Sequence, residues 1–190
     1  MWFNYQSFYS QIAALPDMNR LVEVGCWRGD SIVFLAKKLV EAQRPFELWG
    51  VDIWEQGATL VEKWNYNVDG LETAYAAYNR ALIEAGVRDR VVDLRMVSLE
   101  AARAFADGSL DFVFLDADHR PQSVLADIKA WLPKVRPQGI LAGHDYYYET
   151  VGYQWDNKDN VAEGVNEAVR QKIIKQPQIN ANISIWMTQV

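Results

Sequence analysis

Residues 20–30, Arg-Leu-Val-Glu-Val-Gly-Cys-Trp-Arg-Gly-Asp, decide the fold of this chain. The stretch begins with an apolar run that is interrupted only by Glu23, and such a run is typical of a short strand. Gly25 and Gly29 then predict a tight turn, and the amphipathic pattern of residues 31–42 predicts a helix after it. This order of strand, glycine turn and helix N-terminus presents backbone N–H groups to a ligand. Glu23, at the strand end, is placed to face the same cleft.

The spacing of these glycines is Glu-x-Gly-x-x-x-Gly, and Trp27 stands where a dinucleotide fingerprint requires its second glycine. The spacing resembles the first motif of class I methyltransferases that use S-adenosylmethionine (SAM). Asp52 ends the second predicted strand, roughly 20 residues beyond the turn, where an acid binds ribose hydroxyls. Because NAD-binding proteins use the same position, Asp52 indicates a nucleoside cofactor without separating SAM from NAD.

Length and composition exclude several classes of protein. The chain has 190 residues, half of them apolar, and we expect one domain over residues 1–190. No apolar run reaches the roughly 18 residues of a membrane span, and the first residues lack a signal peptide. The net charge is −6 and no basic block occurs, so nucleic acid is not expected as a partner. Cys26 is the only cysteine, which fits a cytoplasmic protein.

Predicted strands and helices alternate along almost the whole chain. The strands cover residues 20–24, 46–51, 91–97, 110–115, 140–142 and 183–187. The helices cover residues 2–15, 31–42, 71–85, 98–106, 123–135 and 161–174. This alternation predicts an α/β fold with a doubly wound, mostly parallel sheet and helices on both faces, the Rossmann-like arrangement. Ligands of such sheets bind at the carboxyl ends of the strands.

Polar residues stand at those predicted strand ends, and they are the candidates for contact with a cofactor. Ser98 follows the third strand, where its hydroxyl suits either the N-cap of the next helix or the adenine edge, or both. The complete set of candidate cofactor-binding residues is Glu23, Gly25, Gly29, Asp52, Ser98 and Asp116.

Both histidines of the chain lie beside aspartates, just past two successive strands. Residues 116–119 read Asp-Ala-Asp-His, and His144 directly precedes Asp145. If the two strands are neighbours, these side chains converge on one cleft. Carboxylate oxygens suit a divalent cation such as Mg²⁺, whereas an imidazole ligand favours a transition metal. Histidine is also the usual general base near neutral pH.

Three longer motifs carry a resemblance to a known family. They are Phe-Val-Phe-Leu-Asp-Ala-Asp-His at 112–119, Gly-Ile-Leu-Ala-Gly-His-Asp-Tyr at 139–146 and Gly-Val-Asn-Glu-Ala-Val at 164–169. Together they resemble the branch of class I SAM methyltransferases that contains the macrocin-type sugar O-methyltransferases. The resemblance covers most of the chain.

The resemblance implies SAM as the cofactor and a small-molecule acceptor, such as a sugar or phenolic hydroxyl, as the partner. It also implies Asp116 and Asp145 as ligands of Mg²⁺ or another divalent cation, and His119 as the general base. The chain departs from the family pattern at His144, where an acidic residue often precedes the second ligand aspartate. His144 is also the rival candidate for the base, because it too lies beside a strand-end aspartate. The sequence leaves open whether the chain forms an oligomer.

Two other interpretations remain open at this point. One is an NAD-dependent oxidoreductase, against which the missing middle glycine argues. The other is a non-catalytic SAM-binding partner module, which would have no need of Asp116, His119 and Asp145. Two predicted loops rich in aromatic residues, 54–66 and 146–155, are expected either to stack against the ring of an acceptor or to pack beneath the chain.

Overall fold

The computed structural model of the protein describes residues 3–54, 73–146 and 160–190. Its helices there are α1 (Gln6–Ala14), α2 (Asp30–Glu41), α3 (Ala74–Glu84), α4 (Ser98–Ala102), α5 (Pro121–Trp131) and α6 (Val161–Arg170). Its strands are β1 (Arg20–Val24), β2 (Glu47–Asp52), β3 (Val91–Arg95), β4 (Leu110–Leu115), β5 (Val135–Gly143), β6 (Gln178–Asn180) and β7 (Ile185–Gln189).

The strands of these described ranges form one sheet in the order β3-β2-β1-β4-β5-β7-β6. Strands β1 to β5 pair in parallel, whereas β7 runs antiparallel to both β5 and β6. The chain order reverses between β1 and β4, and this reversal makes the topological switch point at which such sheets bind ligands. The predicted mostly parallel, doubly wound sheet is thereby confirmed.

Helices cover both faces of the sheet, as predicted. On one face α1, α2 and α3 bury a core that includes Tyr9, Leu35 and Tyr78. On the other face α4, α5 and α6 pack around Trp131 and Trp186. Strand β4 lies between these two cores and is buried along its whole length, which is why its sequence is almost entirely apolar.

The register of the central strands brings the site residues to one edge of the sheet. Val24 of β1 lies opposite Leu115 of β4, and Leu115 lies opposite Gly143 of β5. The residues that directly follow these three positions therefore emerge side by side at the carboxyl edge. The glycine turn and the two histidine–aspartate segments consequently share one end of the molecule.

Several predicted boundaries were wrong. The fifth strand was predicted over residues 140–142, but β5 begins at Val135, and its pairing with β4 shifts register around Gln138, which has a φ of 67°. Helix α5 begins at Pro121, because proline fits the first helical turn. Strand β6 was missed, since three residues give no readable periodicity, and the last strand begins at Ile185 rather than at residue 183.

Most of the two aromatic loops lies outside the described residues. Trp54 and Tyr146, at their starts, are buried and hydrogen-bonded to the protein, so packing accounts for both. No helix in the described part of the chain is both long enough and apolar enough to cross a membrane.

Candidate functional site

The glycine turn after β1 has the left-handed backbone that its glycines permit. Gly25 has a φ of +92° and Gly29 a φ of +90°, and Gly29 is the N-cap of α2. A Cβ atom on Gly25 would lie 2.0 Å from the carbonyl oxygen of Asp116. Gly25 therefore allows the turn to pack against the end of β4, a reason that differs from the close ligand approach suggested by the sequence.

Asp52, at the end of β2, is tied to this turn. One carboxylate oxygen accepts a hydrogen bond from the backbone N–H of Trp27 at 2.8 Å, and the other accepts one from the N–H of Trp54 at 3.0 Å. The indole of Trp54 in turn donates to the carbonyl oxygen of Trp27 at 2.8 Å. Each carboxylate oxygen keeps a second lone pair, so the position fits the ribose diol of a nucleoside cofactor.

Glu23 lies in the interior of the protein and has no exposed surface. Its carboxylate accepts hydrogen bonds from the Tyr9 hydroxyl at 2.7 Å and the Ser31 hydroxyl at 2.6 Å. Burial raises the pKa of Glu23 to about 8, although these two hydrogen bonds act in the opposite direction. The structure thus places Glu23 beneath the cleft, joined to α1 and α2, rather than facing it.

Ser98 is the first residue of α4, and the N-cap is Val97. The Ser98 hydroxyl donates to Asp127 at 2.5 Å and accepts a hydrogen bond from the Trp131 indole at 2.9 Å. The N-cap interpretation of the Ser98 side chain was therefore wrong, because the hydroxyl joins α4 to α5. Burial raises the pKa of Asp127 to about 6.

The ends of β4 and β5 bring together the two histidines and two of the aspartates. The Nε2 atom of His119 lies 3.2 Å from Asp145 and 3.7 Å from Asp116. The Nδ1 atom of His144 lies 3.0 Å from Asp145 and 3.8 Å from Asp116. These four side chains, the strand-end cluster, meet because β4 and β5 are neighbours in the sheet.

The two histidines of the strand-end cluster differ in access. The side chain of His144 is 9% exposed, and its Nε2 atom lies 3.1 Å from Oδ1 of Asn4, so both ring nitrogens face protein oxygens. The side chain of His119 is 32% exposed. Burial lowers the pKa of His144, but the negative charges of Asp116 and Asp145 outweigh burial and raise it overall. His119 is the better placed of the two to reach a ligand.

Asp116 is held by groups from three parts of the chain. The Tyr5 hydroxyl donates to its Oδ2 atom at 3.0 Å, and both histidines lie near its Oδ1 atom. Burial disfavours the ionised carboxylate, but the positive charge of His144, the bond with His119 and the Tyr5 hydroxyl outweigh burial and lower the pKa of Asp116. Asp116 touches the glycine turn through its backbone, and its side chain faces the histidines.

The strand-end cluster has donor atoms that fit a divalent cation. Asp116, His144 and Asp145 each offer one ligand atom, and these atoms all lie within 4.8 Å of one another. The predicted ligands Asp116 and Asp145 are thus close together, and His144 joins them. Two carboxylates and one imidazole suit a transition metal as well as Mg²⁺.

The N-terminal segment contributes to the site in a way that was not predicted. Asn4 contacts His144, Tyr5 contacts Asp116 and Tyr9 contacts Glu23. Each of these three partners lies near the end of a different strand. No local pattern marks these residues, because their partners are up to 140 positions away along the chain. Only the tertiary structure brings them to the site.

A small cavity adjoins the strand-end cluster. Its lining includes His119 and His144 together with Asp127, Val161 and Trp186. The cavity places an apolar wall and a carboxyl group beside the exposed histidine.

The order of the strands defines a Rossmann-like domain. The glycine turn, Asp52 and the strand-end cluster all lie at the edge of its sheet where nucleoside cofactors bind. A family model described as "Methyltransferase domain" matches residues 22–146, more than half of the chain. The chain belongs to this methyltransferase domain family. The resemblance to methyltransferases in the sequence is thereby confirmed at the level of the family.

Individual relatives are distant. Over 147 residues, 76% of this chain, the sequence is 24% identical to the "Uncharacterized protein y4gI" of Sinorhizobium fredii (strain NBRC 101917 / NGR234). The chain spans only 15% of the length of this curated relative.

Two solved structures share the fold at low sequence identity. Cofactor-bound Rv0187 from MTB has a TM-score of 0.66 and 17% identity, with 99% of this chain and 80% of that chain covered. An O-methyltransferase from Bacillus cereus in complex with SAH has a TM-score of 0.62 and 17% identity, with 97% and 78% covered. At this identity the similarity establishes the fold.

Proposed function

We propose that this chain is a SAM-dependent O-methyltransferase acting on a hydroxyl of a small molecule. The observation that carries the proposal is the partly exposed imidazole of His119, 3.2 Å from Asp145, at the same sheet edge as the glycine turn. In a member of the methyltransferase domain family, this places a candidate base beside a candidate cofactor site. The two sites are next to each other because Gly25 packs against Asp116.

The proposed cofactor site combines a strand-end carboxylate with a glycine turn, and both suit SAM. Asp52 would accept hydrogen bonds from the ribose hydroxyls, and the turn between Gly25 and Gly29 would lie against the cofactor at the N-terminus of α2. When bound, SAM supplies a methyl group on a sulfonium, which is already activated as a leaving group. The main task of the protein is then to align the acceptor oxygen with that methyl group.

The strand-end cluster would handle the proton of the acceptor hydroxyl. His119 would receive this proton on the exposed part of its ring, and Asp145 would orient the ring and stabilise the imidazolium. Asp116, Asp145 and His144 would hold a divalent cation. A bound cation would lower the pKa of the acceptor hydroxyl.

The class of acceptor is proposed from the family resemblance of the sequence. A sugar or phenolic hydroxyl is the proposed acceptor, as in the macrocin-type branch, with the whole of residues 1–190 acting as one domain. The negative net charge supports a small-molecule partner over nucleic acid. A reducing cytoplasm suits the single buried thiol of Cys26.

The other two interpretations are less well supported. An NAD-dependent oxidoreductase would share Asp52, but membership of the methyltransferase domain family argues against it. A non-catalytic partner module would not require a histidine held between two aspartates. Both alternatives make different predictions for ligand binding and turnover.

Calorimetry with SAM, S-adenosylhomocysteine and NAD tests the cofactor. Labelled methyl transfer to a panel of sugars and phenols, before and after chelation, tests the reaction and its metal requirement. We expect binding of the two sulfur nucleosides but not of NAD, and turnover that falls on chelation and returns with a divalent cation. NAD binding alone would establish the oxidoreductase, and SAM binding with no transfer to any acceptor would favour the partner module. Full turnover after thorough chelation would exclude the metal.

A further inference from the structure

We propose that Asn4 and Tyr5, which precede α1, are positioning residues for the strand-end cluster. They would fix His144 and Asp116 in the orientations that the proposed methyl transfer requires. The inference rests on the proposed function. It concerns a segment outside the matched family region, which begins at residue 22.

Tyr5 is built into the site. Its side chain is 2% exposed, and its hydroxyl donates to Asp116 Oδ2 at 3.0 Å. Its ring lies 4.7 Å from the ring of His144 and 5.0 Å from that of Phe114. One side chain thus contacts both the aspartate that ends β4 and the histidine that ends β5. Because Asp116 Oδ2 accepts from Tyr5, its Oδ1 atom is left toward the histidines.

Asn4 acts on the opposite side of the His144 ring. Its Oδ1 atom lies 3.1 Å from Nε2, and an amide oxygen is an acceptor, so Nε2 carries a proton. The Nδ1 atom is directed at Asp145 and Asp116. A hydrogen bond to one ring nitrogen sets the tautomer and the direction of the other. Asn4 therefore sets which nitrogen of His144 faces the strand-end cluster.

The rest of the N-terminal segment anchors these two residues. The backbone N–H of Tyr9 donates to the carbonyl oxygen of Tyr5 at 3.1 Å, and the Tyr9 hydroxyl donates to Glu23 at 2.7 Å. The Tyr9 ring lies 5.1 Å from both Tyr5 and Phe114. Helix α1 is thus packed on the sheet, and this packing holds Asn4 and Tyr5 against the strand ends.

The test uses Tyr5→Phe, which keeps the ring and removes only the hydroxyl, and Asn4→Ala. The matched control is Tyr75→Phe, because the Tyr75 hydroxyl also donates to an aspartate, Asp93, at 3.0 Å, and Asp93 lies on β3 at one edge of the sheet, away from β4 and β5. Three quantities are measured for each variant: kcat, SAM affinity, and the NMR signals of the two imidazoles. The chain has only two histidines, so their signals are readily assigned.

We expect kcat to fall about tenfold in Tyr5→Phe and in Asn4→Ala, because each change removes a hydrogen bond to a group of the strand-end cluster. SAM affinity should stay within about twofold, and the His144 signals should shift while those of His119 move less. Tyr75→Phe should leave kcat and both imidazole signals unchanged.

Unchanged His144 signals together with unchanged kcat in both variants would overturn the inference. So would an equal loss of kcat in Tyr75→Phe, since the effect would then not belong to the strand-end cluster. If the unaltered protein neither binds SAM nor transfers methyl groups, the proposed function fails. The NMR comparison still decides whether Asn4 and Tyr5 position His144.

Discussion

Acidic side chains end strands on both halves of the sheet, but their partners differ. On the half formed by β1 and β2, Glu23 and Asp52 accept hydrogen bonds from hydroxyls and backbone N–H groups, which hold their protons at neutral pH. On the half formed by β4 and β5, Asp116 and Asp145 lie beside histidines, the side chain that enzymes most often use for proton transfer. Acidic side chains near neighbouring strand ends thus have two different kinds of partner.

The difference agrees with the proposed division of one sheet edge into a cofactor site and a site of proton transfer. Carboxyl groups that accept hydrogen bonds from hydroxyl and backbone N–H groups suit the binding of a nucleoside, because these bonds hold the glycine turn rigid before the cofactor binds. Carboxylates beside imidazoles suit proton transfer. A substitution on the β1–β2 half should therefore change stability or cofactor affinity, whereas one on the β4–β5 half should change turnover.

The largest expected effect is that of His119→Ala on turnover. Loss of the proposed base should lower kcat by about 10²–10⁴-fold and leave SAM affinity nearly intact. Steady-state kinetics and calorimetry measure the two quantities separately. His144→Ala is the companion variant: if it abolishes turnover while His119→Ala does not, the two histidines exchange roles. Normal turnover in both variants would mean that neither is the base.

Gly25→Ala should have the largest effect on the β1–β2 half. A side chain at a φ of +92°, 2.0 Å from the Asp116 carbonyl oxygen, should lower the free energy of unfolding by about 3 kcal/mol or more. Chemical denaturation measures the loss. Gly86→Ala is the control, because Gly86 also has a positive φ of +68° but has no neighbour within 4 Å, and it should cost only about 1 kcal/mol. Equal losses would show that the close approach to β4 is unimportant.

Asp52→Ala should weaken SAM binding by about 1.5–3 kcal/mol, since charge-assisted hydrogen bonds to the ribose would be lost. Calorimetry gives the value directly. Asp52→Asn keeps an acceptor oxygen and should show a smaller loss. Full SAM affinity in the alanine variant would remove Asp52 from the cofactor site and with it the proposed division between the two halves.

The last expected effect is a change in the pH dependence of stability. The pKa of Glu23 is about 8 in the folded protein, whereas in the unfolded chain it has the ordinary value of about 4.3. Between these two pH values the folded protein keeps a proton on Glu23 that the unfolded chain has released. Stability should therefore fall as pH rises from the lower of these values to the higher. Glu23→Gln should flatten this part of the curve, and denaturation at pH 5 and pH 8 measures it.

The control for this measurement is Glu41→Gln, which changes a carboxyl that is 57% exposed and paired with Lys38. It should leave the slope unchanged. If Glu23→Gln keeps the original slope, Glu23 is ionised throughout, and the hydrogen bonds from Tyr9 and Ser31 outweigh burial.

Local patterns predicted the parts of the fold that depend on near neighbours along the chain. The apolar run at 110–115 predicted the strand that lies between the two cores, and the residues that follow it lie at the carboxyl edge of the sheet, as expected. The irregular pairing of β5 with β4 and the short strand β6 were missed, since both depend on a partner strand rather than on periodicity.

The sequence by itself determined which polar residues follow which strands, because a strand and the turn after it are encoded within a few residues. Only the tertiary structure decided their partners. The direction of Glu23 depends on Tyr9 and Ser31, and the division between His119 and His144 depends on Asn4. Asn4 and His144 are 140 positions apart in the sequence, whereas Glu23 is 14 positions from Tyr9 and 8 from Ser31. All three contacts join different elements, so they form only when strand order and helix packing bring those elements together.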